Sequence, residues 1–102
     1  MTDTTSPMFC PPHPGEFITE TYLRPLGVSA RGLAAALRVA PTSVTRILSS
    51  AARVTPEMAI RLEAVLGRSA DSWLKMQNAY DLWHARAVVN TQHLSRISVT
   101  AA

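Results

Sequence analysis

Acidic residues are missing from the middle of this chain. None of its seven aspartates and glutamates falls between residues 28 and 55, a window that holds Arg31, Arg38, Arg46 and Arg53. The window is therefore +4 in a chain of net charge +3, which leaves −1 for the remainder. A local excess of this kind is either the electrostatic footprint of a polyanion or a solvated basic surface. Charge is thin overall, at 17% of 102 residues, below the usual quarter. The single cysteine, Cys10, excludes an internal disulfide, so nothing points to secretion. No apolar run approaches the roughly 20 residues that span a bilayer. No charged segment followed by an apolar one opens the chain, so no signal peptide is expected, and the cytoplasm is the expected compartment. Catalytic groups are equally scarce: no helical segment presents paired carboxylates in an apolar setting. Cys10 and His13 lie in a proline-rich arm far along the chain from His84 and His93, without the doubled close spacing a zinc site needs. Neither an enzyme nor a metal or cofactor site is expected.

What is present suffices for one ordinary domain, with 47% apolar residues for a modest core. Residues 1–12 carry three prolines and small polar side chains and read as a flexible arm. Residues 13–86 read as five helices, and residues 87–102 as a tail without helical periodicity, either a short strand or frayed chain. In "HPGEFITETYLRPLG", Pro14 suits a first helical turn and Glu16 its positive dipole end. Phe17, Ile18, Thr21 and Tyr22 recur at helical spacing, and Pro25 with Gly27 ends the run. In "SARGLAAALR", Ser29 caps a helix whose stripe is Leu33, Ala34 and Leu37. Pro41 opens the third helix after a short link, so the second and third helices form a helix-turn-helix. Thr55, Pro56 and Glu57 start the fourth helix, Gly67 stops it, and Ala59, Leu62, Val65 and Leu66 are expected to face inward. Ser69 caps the fifth, with Asp71 near its N-terminus.

The third helix, "PTSVTRILSS", divides cleanly when turned at about 100° per residue. Val44, Ile47 and Leu48 fall on one side; Thr42, Thr45, Arg46 and Ser49 fall on the other. Short hydroxyl side chains let a helix backbone sink into a major groove about 12 Å wide, and an arginine can fork onto guanine O6 and N7. An ordinary wet helix face would carry Glu and Lys instead. Thr42, Ser43, Thr45, Arg46 and Ser49 are thus the expected base-reading set. Ser29 and the amide end behind it are expected to hold a phosphate. Arg31 and Arg53 are candidate phosphate clamps, and Arg38 in the turn adds long-range charge. One such module grips few base pairs, so two copies on an inverted repeat of double-stranded DNA are expected.

The fifth helix holds both tryptophans. Trp73, Met76 or Gln77, Tyr80 and Trp83 share one face, with Leu74 and Leu82 on its flank. These residues either close the monomer core or form a seam between two protomers, for which Trp, Tyr and Met are favoured. Trp73, Met76, Tyr80, Leu82 and Trp83 are the expected dimer residues, Trp73 deepest.

The segments "HPGEFITETYLRPLG", "VSARGLAAALRVAPTSVTRIL" and "RVTPEMAIRLEAVLGRSADSWLKMQNAYDLW" resemble the HigA-type antitoxins of bacterial type II toxin–antitoxin systems. These antitoxins belong to the phage-repressor (Xre) helix-turn-helix group. The likeness covers about residues 13–86, and the pairing of "HPGE" with "SWLKMQNAYDLW" makes it specific. It implies an all-α, five-helix phage-repressor-like domain with a C-terminal dimerising helix. It also implies a homodimer that represses its own operon and a RelE-like ribonuclease toxin as partner. Against that pattern the chain has Ala30 for the common Gln, Arg38 for the turn glycine, Ala40 for the Ser cap, and Ser49–Ala51 for Asn-Gly-Lys. If Arg38 keeps the left-handed turn, it costs about 1 kcal/mol against glycine. The missing Gln and Lys leave a rival reading: a helical protein-binding module of the same fold with weak or no DNA binding. For toxin contact, the arm, the first helix and acidic Glu16 and Glu20 are candidates against a basic nuclease.

Overall fold

The computed structural model describes residues 9–98. Residues 1–8 of the expected arm and the last four of the tail lie outside the described residues. Five helical rods make up the fold, and no strand occurs among the described residues. The first rod runs without a break through α1 (Pro14–Ile18), a π-helical turn (Thr19–Leu23) and α2 (Arg24–Leu26). The others are α3 (Ala30–Leu37), α4 (Pro41–Leu48), α5 (Pro56–Leu66) and α6 (Ala70–Val88).

Pro25 does not end the first rod; it sits inside the last turn, and Gly27 in the left-handed conformation makes the stop. Proline has no N–H to give the carbonyl four residues back, and its ring crowds that carbonyl. The preceding turn widens, so that the Arg24 N–H reaches back five residues to Thr19. The extra residue rotates the inward face: Leu23 is buried, and Thr21, which recurs at helical spacing with Phe17 and Ile18, is exposed.

The caps follow the chemistry of the sequence. Ser29, Thr55 and Ser69 each accept the N–H three residues on, from Gly32, Met58 and Ser72. Helix ends are closed by paired backbone bonds with a left-handed residue at the turn, at Gly27, Arg38 and Ser50. At Arg38, the Val39 N–H reaches Ala34 O and the Arg38 N–H reaches Ala35 O. At Ser50, Ala51 reaches Arg46 O and Ser50 reaches Ile47 O. Arg61 of α5 adds a 2.7 Å bond to the Leu37 carbonyl, supporting the turn from below.

The core gathers Ile18, Leu33, Ala34, Leu37, Val44, Ile47, Val54, Ala59, Leu62 and Trp73. Val65, expected inside, is 37% exposed, and Met58 takes the buried place instead. The inward stripe of α5 runs through Met58, Ala59 and Leu62, and Val65 turns onto its flank beside Leu26 and Val28. At the start of α6 the Trp73 ring is wrapped by Phe17 at 5.9 Å and Tyr22 at 6.2 Å. α6 runs to Val88, two residues past the expected domain edge, and residues 89–98 follow as exposed chain with one turn at Thr91–Leu94.

Candidate nucleic-acid interface

α4 presents the face expected of it. Val44 and Ile47 are buried and Leu48 is half-buried, while Thr42, Ser43, Thr45, Arg46 and Ser49 are all exposed. The Thr45 hydroxyl donates to Thr42 O at 3.1 Å and the Ser49 hydroxyl to Arg46 O at 3.2 Å. Both oxygens therefore keep lone pairs free on the outer side, as acceptors. Ser29 likewise spends an acceptor on the Gly32 N–H at 3.0 Å and retains its own hydroxyl proton. Arg31 and Arg38 are exposed, and with Arg46 they form no ion pair among the described residues.

The position of α4 is set by its contact with α1. Gly15 lies so close to α4 that a Cβ there would overlap the Ile47 carbonyl oxygen and stand 2.8 Å from the Leu48 Cα. His13 caps α1 ahead of it. Its Nδ1 accepts the Gly15 N–H at 2.9 Å, and its other side reaches the Ala52 backbone. The ring is buried, 4.9 Å edge-on from Tyr80. Burial holds its pKa below the ordinary value, against upward pulls from the Ala52 backbone bond, Asp81 and Glu16. Sequence reasoning singled out Pro14 and Glu16 but missed why histidine and glycine flank them.

The loop after α4 is tied to α6. Gln77 is buried; its Oε1 accepts the Val54 N–H at 2.8 Å, and its Nε2 donates to Asp81 at 3.0 Å. The second Asp81 oxygen takes the Arg53 guanidinium through Nε at 2.8 Å and Nη2 at 2.6 Å. Arg53, a candidate phosphate clamp, is thus half of an ion pair. It still lines the open groove of about 250 Å³ shared with Thr42, Ser43 and Arg46.

The expected dimer set is divided by the structure. Trp73 is fully buried within its own protomer and takes no part in any surface. Tyr80 is half-buried against His13 and against His84 at 4.4 Å; Met76 packs on the core. Trp83 is half-buried and Leu82 is 45% exposed. Cys10 approaches His84 at 3.6 Å rather than His13, and no cluster of three metal-donor side chains occurs among the described residues.

A helix-turn-helix family model matches residues 20–73, more than half of the chain. The chain belongs to the helix-turn-helix family of HigA-type antitoxins. It is 43% identical over 86 residues to YddM, an HTH-type transcriptional regulator of Escherichia coli (strain K12), with 84% of this chain and 90% of that protein covered. Among solved structures, the antitoxin GraA superposes with a TM-score of 0.83 at 35% identity, covering 87% of this chain and 99% of its own. Antitoxin HigA of Pseudomonas aeruginosa, solved with the higBA promoter, gives a TM-score of 0.78 at 32% identity, with coverages of 88% and 98%. The relatives are named as regulators and antitoxins. No helix among the described residues is long and apolar enough to cross a membrane.

Proposed function

We propose that this chain is a cytoplasmic, sequence-specific DNA-binding antitoxin that acts as a homodimer. It binds an inverted-repeat operator, represses its own operon and neutralises a RelE-like ribonuclease toxin. The observation that carries the DNA reading is the outer face of α4, where Thr42, Ser43, Thr45, Arg46 and Ser49 are exposed together with no acidic neighbour on the helix. That face can enter a major groove with the backbone close to the bases. Ser29, Arg31 and Arg38 then lie on the side of the phosphates, and Arg53 at the groove edge. HigA among the structural neighbours, solved with the higBA promoter, supports DNA as the partner. The dimer reading rests on Met76, Tyr80, Leu82 and Trp83 of α6, of which Leu82 and Trp83 keep apolar surface uncovered.

Two observations favour the rival, a protein-binding module with little hold on DNA. Arg53 is partly neutralised by Asp81, and Ala30 and Ala51 supply no polar side chain where the family has Gln and Lys. Two assays separate the readings. The chain is expressed together with the toxin-type reading frame beside its gene, and separately with a reporter driven by its own upstream DNA. Restored growth with a silenced reporter is the expected pair of results. Restored growth with an active reporter supports the protein-binding module, and no restored growth removes the antitoxin role.

A further inference from the structure

Arg53 is not a loose surface cation. Its guanidinium is gripped along one edge, Nε and Nη2, by a single Asp81 oxygen. The other Asp81 oxygen is held by Gln77, which is itself buried and fixed to the Val54 N–H. Backbone and side chain of adjacent loop residues are thus racked by one hydrogen-bonded chain from α6. An ion pair this exposed contributes little to stability, so its main consequence is directional. The grip leaves Nη1 out, and Arg53 lines the groove that it shares with Thr42, Ser43 and Arg46.

We infer that Asp81 is a positioning residue for DNA binding: from α6 it aims the Arg53 guanidinium at a backbone phosphate beside the recognition helix. The inference rests on the DNA reading above. A bare, rotamer-rich arginine must be ordered when it meets a phosphate, and Asp81 has ordered it already. The opposite effect of Asp81, repulsion of the same phosphate, acts on every duplex alike and depends on salt.

The test measures affinity of the full chain for the duplex upstream of its own gene and for a scrambled duplex, across a range of salt. Asp81→Asn keeps an acceptor for Gln77 and removes the grip on Arg53. It is expected to weaken upstream-duplex binding about three- to tenfold with an unchanged salt slope, because the phosphate contact persists. Arg53→Ala is expected to lower the slope by about 1, and adding Asp81→Asn to it should weaken binding no further. Should Asp81→Asn fail to fold, Arg53→Lys, which cannot present the same fork, is expected to show the same loss. Tighter binding of Asp81→Asn to both duplexes with a steeper slope would overturn the inference in favour of simple repulsion. An equal loss in the Arg53→Ala background would overturn it in favour of a general structural role. A wild-type chain with no salt-sensitive binding would remove the DNA reading and this inference together. Wild-type binding unaltered by Asp81→Asn or Arg53→Lys would remove the inference alone.

Discussion

Gly15 of α1 and Ile47 of α4 meet backbone to backbone, with no room for a side chain on residue 15. The contact sets how far α4 stands from the core, and therefore how far its hydroxyl face projects. A Gly15→Ala chain must push α4 outward or unfold. Destabilisation of at least about 2 kcal/mol is expected, a fall in Tm on the order of 10 °C. Calorimetry of the two chains checks it.

His13 makes the fold sensitive to pH in a stated direction. Its folded pKa lies below the unfolded value, so the folded state disfavours the cation. The stability linked to it is fully present above the unfolded value of about 6.5 and is lost as pH falls below it toward the folded pKa. Protonation also removes the Nδ1 lone pair that accepts the Gly15 N–H. Urea midpoints should fall between pH 7.5 and 5.5, and His13→Asn, a capping residue that does not titrate, should flatten that fall.

Arg38 holds a left-handed conformation, φ 60°, in which a Cβ is strained. Arg38→Gly is expected to stabilise the domain by about 1 kcal/mol. A higher urea midpoint with an unchanged denaturant slope is the signature. Ser50, φ 65°, closes α4 in the same way, and Ser50→Gly should behave alike.

The exposed part of the α6 face predicts an effect of charge. Trp83→Glu should leave the protomer folded and shift sedimentation from dimer to monomer. Operator affinity should then drop on the order of 100-fold, because the second half-site no longer binds as part of the same molecule.

Local chemistry in the sequence was enough to place the helix caps at Ser29, Thr55 and Ser69 and the two-sided α4, whereas the left-handed turn at Arg38 followed only from the resemblance to the antitoxin family. The caps and the two faces depend on neighbours within about one helical turn. The π-helical turn was not legible, because Pro25 acts on residues before it and the resulting widening changes which side of the rod Thr21 and Leu23 take. The residues that fix the interface were less visible still. Arg53 to Asp81, Val54 to Gln77 and Arg61 to Leu37 join positions 28, 23 and 24 residues apart, respectively. A charge count confined to residues 28–55 made Arg53 a candidate clamp without showing its ion pair, because the acidic partner lies on another helix. The Gly15 contact was hidden for the same reason, since its neighbour is the backbone of α4.

Arg46 provides the most direct test of a base-reading α4. Affinities of wild type and Arg46→Ala are compared on the upstream duplex and on a scrambled duplex at matched salt. A base contact predicts a loss of about 1–3 kcal/mol, roughly five- to 150-fold, on the upstream duplex and a much smaller loss on the scrambled one. Equal losses on both duplexes, or none on either, would contradict it.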